Sequence, residues 1–155
     1  MSIVLNGTGG TITGVPGQVL QVVQGILTPT IITSSSTYSD TGLTATITPT
    51  SSTSKILVQA NLACCGKYSN NTSLALRVLK NNTLLFYWDD SFGYNATTAQ
   101  ITAQASLNYL DSPASTTALT YKIQFASQSN LANAIINNTN GAGAMSTITL
   151  TEISA

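Results

Sequence analysis

The chain has 155 residues, of which 43% are hydrophobic and only 6% are charged, and its five Lys and Arg residues balance its five Asp and Glu residues. Binding to nucleic-acid phosphates or to an anionic membrane surface needs clustered positive charge, which is missing here. No segment reaches the roughly 20 apolar residues that span a bilayer, so neither a nucleic acid nor a membrane is expected as a partner.

The first 39 residues carry no charged side chain, and residues 1–33 alternate Gly- and Thr-rich stretches with short apolar segments. Such segments are too short to form a stable sheet alone, but they can add as strands to the edge of a partner's sheet. Residues 1–33 are therefore predicted to be an extended N-terminal arm that binds another protein. The predicted contact residues are Ile3, Val4, Leu5, Ile12, Val15, Val19, Leu20, Val22 and Val23.

Residues 34–155 show the apolar–polar alternation of strands that bury one face. The predicted strands are residues 43–47, 56–64, 74–78, 83–88, 101–109, 119–125, 132–136 and 148–153. About eight antiparallel strands predict an all-β domain, with a jelly-roll β-sandwich as first choice and an immunoglobulin-like sandwich as the alternative.

Three connections in this domain carry further expectations. Asn81 and Asn82 are predicted to form a tight turn, because Asn tolerates positive φ. Residues 89–98 and 137–143 are predicted to be polar loops.

Cys64 and Cys65 are adjacent in a predicted strand, where neighbouring side chains point to opposite faces. Cys64 continues the apolar face of residues 56–62, so it is expected in the core, with Cys65 exposed or at an interface. A strained disulfide between them, or a redox site, is the alternative.

The chain has no histidine, which removes the commonest general base and the commonest metal ligand. No catalytic residue, metal site or cofactor is therefore predicted. Asp89 and Asp90 are carboxylates close in sequence, and paired carboxylates hydrolyse glycosides when they face one sugar. A role in a loop or a salt bridge is preferred for them, and a polysaccharide hydrolase is a minor alternative.

Four aromatic side chains, Tyr87, Trp88, Phe92 and Tyr94, fall within eight residues. Tyr and Trp are enriched at protein interfaces. The four aromatic residues are therefore predicted to pack at a core edge or at a subunit interface. Leu57, an apolar residue on the polar face of its strand, is a further candidate for the interface. The alternative is that these aromatic rings stack on sugars.

Four segments carry a resemblance to a known group: IVLNGTGGTITGVPGQVLQVV, YSDTGLTATITPTSSTSKILV, LNYLDSPASTTALTYKIQ and STITLTEISA. In this order they resemble structural proteins of tailed phages, notably those of marine and freshwater bacteria. The bodies of these proteins resemble trimeric jelly rolls of the complement C1q or tumour-necrosis-factor type. The resemblance implies a homotrimeric component of the virion and not an enzyme.

The first functional prediction is a capsid decoration (cement) protein, on the capsid exterior, whose uncharged arm binds the major capsid protein. Apolar burial and strand addition would supply the binding, so salt should affect it only weakly. The alternative is a trimeric tail-fibre or receptor-binding knob. Its arm would join tail proteins, and residues 89–98 and 137–143 would meet a host glycan or surface protein.

Overall fold

Ten strands and no helix make up the part of the chain that the computed structural model describes, residues 16–129, 132–138 and 144–155. The strands are β1 (Val19–Leu27), β2 (Ile31–Thr33), β3 (Ser39–Ile47), β4 (Lys55–Lys67), β5 (Thr72–Lys80), β6 (Thr83–Asn95), β7 (Ile101–Asp111), β8 (Leu119–Ser129), β9 (Ala134–Ile136) and β10 (Ser146–Ile153). Sheet A has the order β1-β10-β4-β9-β2, with β7 also paired to β4, and sheet B has the order β3-β8-β5-β6.

Two pairs of strands in sheet A form interrupted ribbons. β1 pairs with β10, and β2 pairs with β9. β10 and β9 both pair with one edge of β4, and β7 pairs with the other edge of β4. Each sheet therefore contains four ribbons. When the eight ribbons are numbered along the chain, their order across sheet A is first, eighth, third and sixth. Their order across sheet B is second, seventh, fourth and fifth. This winding is a jelly roll.

The predicted all-β fold and its jelly-roll arrangement are confirmed, and the immunoglobulin-like alternative is not the topology found. The predicted turn between β5 and β6 is also present, with φ of 50° at Asn81 and 67° at Asn82. The alternation of β3 buries Leu43, Ala45 and Ile47, as expected for a strand that packs one face on a core.

The structure differs from the predicted arm of residues 1–33 at its C-terminal half, because β1 and β2 are part of the sandwich. Each segment is too short to form a sheet alone, but β10 and β9 of the same chain supply the pairing edge. Leu27 is buried, and Val23 packs against the core. Residues 1–15 lie outside the described part of the chain.

Gly25 lets β1 cross closely over β3 of the opposite sheet. A Cβ atom added at Gly25 would lie only 1.9 Å from the carbonyl oxygen of Thr44. Any side chain would therefore force the two sheets apart at this corner of the sandwich.

β6 continues through Asn95, so residues 89–95 are strand and not the predicted loop. Its pairing with β5 shifts register four times between Thr72 and Lys80. Each irregularity interrupts the period-2 pattern, which is why the polar run at Asp89 and Asp90 reads as a loop in the sequence.

A bulge in β4 at Ala63 and Cys64 marks the place where its partner changes from β10 to β9. The Asn137 N–H donates to the Ala63 carbonyl (3.0 Å). The Ser146 hydroxyl accepts from the Ala63 N–H (2.9 Å) and donates to Asn137 Oδ1 (2.6 Å). The backbone of the bulge is thus satisfied by residues at the ends of β9 and β10.

Asn137 also holds the break between β1 and β2. Its side-chain Nδ2 donates to the backbone carbonyls of Leu27 (2.8 Å) and Pro29 (3.2 Å). Its backbone carbonyl accepts a hydrogen bond from Thr30 Oγ1 (2.7 Å). Asn137 is fully buried, and its φ is 58°. Asn137 therefore connects both interrupted ribbons to β4, through its backbone N–H and through its side chain.

The bulge reverses the expected positions of the two cysteines: Cys64 is exposed and Cys65 is buried. The register shift between Leu62 and Cys65 inserts a residue, so the alternation moves by one and Cys65 enters the core. Both thiols are free, and burial raises the pKa of Cys65 to about 12.

We expect Asn137→Ala to lower the free energy of unfolding by about 3 kcal/mol, because two buried carbonyls and a buried hydroxyl lose their partner. Asn137→Gly, which adopts positive φ without strain, should show most of this loss. Urea denaturation measures both. The half-buried neighbour provides a matched control, Asn138→Ala, which should change stability by less than about 0.5 kcal/mol. Equal effects at the two positions would contradict the role given to Asn137.

The native protein should react with an aromatic disulfide reagent at one thiol only. Cys64→Ser should abolish this reaction and Cys65→Ser should leave it intact, because the buried Cys65 is almost entirely protonated at neutral pH. Absorbance of the released thiolate gives the count, and the second thiol should appear in denaturant. Preferential reaction of Cys65 would contradict the placement of the bulge.

Candidate functional site

The outer face of sheet A carries a row of three aliphatic side chains and one threonine across its four ribbons. Directly opposed residues of antiparallel strands point to the same face. Val22, Thr151, Leu57 and Leu110 are opposed in this way. Val22 is 58% exposed and Leu110 is 48% exposed, while Leu57 is half-buried between its neighbours.

The next row on this face is made of neutral polar side chains. Gln24 Nε2 donates to Thr149 Oγ1 (3.0 Å), and Gln59 Nε2 donates to Asn108 Oδ1 (2.9 Å). A groove of about 360 Å³ follows this row and is lined by amide and hydroxyl groups of β4, β7 and β10. In it, Asn61 Oδ1 is buried without a hydrogen-bond partner among the described residues. The face therefore offers apolar contacts together with neutral hydrogen-bonding groups.

Charge is nearly absent from this face. Sheet A holds four of the ten charged side chains, and three of them, Lys67, Asp111 and Glu152, are buried. The fourth, Lys55, is exposed at the start of β4. Contacts made by the rest of the face would depend little on salt.

The edge ribbon of β1 and β2 concentrates exposed apolar residues. Of the ten large hydrophobic side chains that are exposed in the described part of the chain, five lie on this ribbon: Val19, Leu20, Val22, Ile26 and Ile32. An edge strand also presents backbone N–H and C=O groups that another strand can pair with. The ribbon is therefore suited to strand addition supported by apolar contacts.

The predicted arm residues divide into three groups. Val19, Leu20 and Val22 are exposed on the edge ribbon, and Val23 is packed against the core. The other five predicted residues lie outside the described part of the chain: Ile3, Val4, Leu5, Ile12 and Val15.

The five residues predicted as a subunit interface are not brought together. Leu57 lies on the outer face of sheet A, whereas the aromatic residues lie on β6 of sheet B. Trp88 and Phe92 pack against the core, and Tyr87 and Tyr94 are 60% and 52% exposed. Tyr87 and Tyr94 are thus exposed, whereas Leu57, Trp88 and Phe92 are half-buried.

Asp89 and Asp90 follow one another on β6, where neighbouring side chains diverge. Asp89 accepts a hydrogen bond from the Ser91 N–H (2.9 Å), and Asp90 is exposed. Among the described residues, no three His, Cys, Asp or Glu side chains are grouped so that they could hold a metal ion. Nor does any helix in that part of the chain have the length and hydropathy needed to cross a membrane.

Other carboxylates have structural partners. Asp111 Oδ2 accepts from Lys80 Nζ (2.7 Å) and from the buried Tyr121 hydroxyl (2.6 Å). Glu152 Oε1 accepts from the N–H (2.7 Å) and hydroxyl (2.8 Å) of Thr50, and its Oε2 accepts from Gln21 Nε2 (2.6 Å). Glu152 thereby ties the turn after β3 to β1 and β10.

Burial alone would raise the pKa of Glu152, but the hydrogen bonds from Gln21 and Thr50 help to outweigh it, and this pKa lies below its ordinary value. Because the pKa is lower in the folded state, the stabilisation is present above the ordinary value of 4.5. It is lost as the pH falls through the folded-state pKa.

We therefore expect Glu152→Gln to destabilise the protein at pH 7 and to reduce the loss of stability below about pH 4.5. Urea denaturation at several pH values between 7 and 3 measures both effects. Asp90→Asn, at an exposed carboxylate, is the control and should follow the wild-type profile. A Glu152→Gln profile parallel to that of the wild type would contradict this account.

The comparisons with known proteins identify the fold and no family. No protein-family model matches the chain, and no curated protein matches its sequence. The chain is similar to a solved structure, the crystal structure of the infectious bursal disease virus VP2 subviral particle. The TM-score is 0.50 at 10% sequence identity, over 98% of this chain. The match spans 37% of the VP2 chain, so it shows a shared jelly-roll fold over about a third of that protein.

Proposed function

We propose that this protein is a non-enzymatic structural component of a virion, where it decorates the capsid exterior as a homotrimer. The observation that carries the proposal is the outer face of sheet A, which is apolar and neutral and ends in an open edge ribbon. A protein with zero net charge has little colloidal repulsion, and such a face is best accommodated against a larger body.

The major capsid protein is the proposed partner. The edge ribbon would pair with one of its strands, and the row of Val22, Leu57 and Leu110 would be covered by apolar side chains. Ile3, Val4, Leu5, Ile12 and Val15 precede β1 in the sequence and would extend the same contact as an arm. The jelly-roll fold shared with VP2 of a subviral particle is consistent with this role.

The non-enzymatic part of the proposal rests on chemistry. The sequence has no histidine, and Asp111 and Glu152 are engaged in buried hydrogen bonds. Asp89 and Asp90 are adjacent on one strand, which does not favour two carboxylates facing one sugar.

Immunogold electron microscopy of the virion, with antibody against the whole chain, tests the location. Gold spread over the head is the expected result. Gold confined to the tail would overturn the decoration role and support the alternative of a tail-fibre knob whose arm joins tail proteins.

We expect Val22→Asp to weaken binding to capsids that lack the protein by about tenfold or more, because the contact would bury an unpaired carboxylate. Co-sedimentation with the capsids gives the affinity. Val22 is exposed, so the variant should fold normally. Wild-type binding should change less than about threefold between 0.1 and 1 M NaCl, since no ion pairs are involved.

Leu84→Asp is the matched control, because Leu84 is an exposed aliphatic residue (41%) on β6 of the opposite sheet. It should bind as the wild type does. Unchanged binding of Val22→Asp, or release of the wild type by moderate salt, would contradict docking through sheet A.

A further inference from the structure

The outer face of sheet B gathers charged and aromatic residues in a chain that has few of either. Asp40, Gln124, Arg77 and Tyr87 are opposed in one row across β3, β8, β5 and β6. All four side chains are carried by paired strands and not by loops. Their relative positions are therefore set by the sheet.

Hydrogen bonds join the polar members of this row. Arg77 Nε donates to Gln124 Oε1 (2.8 Å), and Gln124 Nε2 donates to Asp40 Oδ1. Lys122 Nζ lies 2.7 Å from Asp40 Oδ2. Burial acts to raise the pKa of Asp40, but its bonds to Lys122 and Gln124 keep that pKa below its ordinary value. The carboxylate is thus charged and fixed in orientation at neutral pH.

Two tyrosines complete the surface. The Arg77 guanidinium carbon lies 4.1 Å from the centre of the Tyr38 ring, and the Tyr38 and Tyr87 ring centres are 6.1 Å apart at 55°. Tyr87 is 60% exposed. Burial and Tyr87 raise the pKa of Tyr38, whereas Arg77 and a hydrogen bond with Gln128 act to lower it. Asp89 is opposite the core residue Leu76, so its exposed neighbour Asp90 points to the outer face.

Stability does not account for this arrangement. An ion pair with an exposed carboxylate, such as Asp40 with Lys122, contributes little to folding. The cation–π contact of the half-buried Arg77 with Tyr38 also keeps some solvent access and is modest. A row of fixed donors, acceptors and aromatic rings on a solvent-facing sheet is instead typical of a binding surface.

The charge pattern selects the ligand. Arg77 and Lys122 are balanced by Asp40 and Asp90, so an anion would meet two carboxylates and a cation would meet two basic groups. A neutral ligand with several donors and acceptors meets neither penalty. Pyranose sugars have such hydroxyl groups and also an apolar C–H face that fits an exposed aromatic ring.

We propose that the outer face of sheet B binds a neutral pyranose of a surface glycan, which stacks on Tyr87 and hydrogen-bonds to Arg77 and Asp40. Tyr and Arg are also enriched at protein interfaces, but a protein partner fits less well at Asp40 and Lys122, because Asp and Lys are depleted there. The face lies opposite the face of sheet A that docks in the proposed function. Glycan binding is therefore compatible with docking and does not depend on it.

Fluorescently labelled protein applied to an array of neutral and acidic oligosaccharides tests the proposal. Neutral glycans should bind. Saturation-transfer difference NMR with methyl glucoside, mannoside and galactoside should then show transfer to the C–H face of at least one sugar. We expect Tyr87→Ala to lower the affinity about tenfold or more, as at other aromatic contact positions.

Tyr94→Ala is the matched control, because Tyr94 is an exposed tyrosine (52%) of the same strand outside the row. It should bind as the wild type does. Binding of no neutral glycan, binding of acidic glycans only, or equal effects of the two substitutions would overturn the proposal. Loss of self-association by Tyr87→Ala in sedimentation, without glycan binding, would instead assign this face to contacts between subunits.

Discussion

The hydrogen bonds of Asn137 are the constraint on which the arrangement of sheet A depends. β4 must pair with β10 along one part of its edge and with β9 along another, and its backbone bulges between the two. Asn137 and Ser146 satisfy the bulge, and the same Asn137 side chain holds the carbonyls at the break between β1 and β2. Without these bonds, three ribbons would lose their common register at one point.

The fold separates two kinds of surface. Charged residues of sheet A are mostly turned into buried hydrogen bonds, as in the contact between Asp111 and Tyr121, which leaves its outer face neutral. Sheet B carries Asp40, Arg77 and Lys122 on its outer face, beside Tyr38. A chain with so few charged residues can form two chemically distinct faces because the strands place nearly all of them on one side or in the interior.

Sequence patterns predicted the strands that keep a regular period, such as residues 43–47, 101–109 and 119–125. They failed where a bulge shifts the period, at Cys64 and along β6, because an inserted residue moves later side chains to the other face. They also failed for β1, whose partner is the last strand of the chain. Pairing between strands so distant in sequence leaves no local signal.

The residues of the two candidate surfaces were also only partly predictable from the sequence. Val22 could be predicted as a contact residue because it belongs to a short apolar segment of the uncharged N-terminal region, and Leu57 because it is an apolar residue on the polar face of its strand. The row of Asp40, Gln124, Arg77 and Tyr87 was not, since each member is unremarkable within its own strand. Only the register of sheet B shows that they are neighbours.

The pairing of β1 with β10 also has a consequence for folding kinetics. Val19 is opposite Ile153, so the first strand finds its partner only when nearly the whole chain has been synthesised. Contacts of such high sequence separation form slowly, because a long loop must close first. Until β1 and β10 pair, each has an unpaired edge that favours aggregation. A chain that lacks β10 therefore cannot complete the pairing of β1 in the edge ribbon.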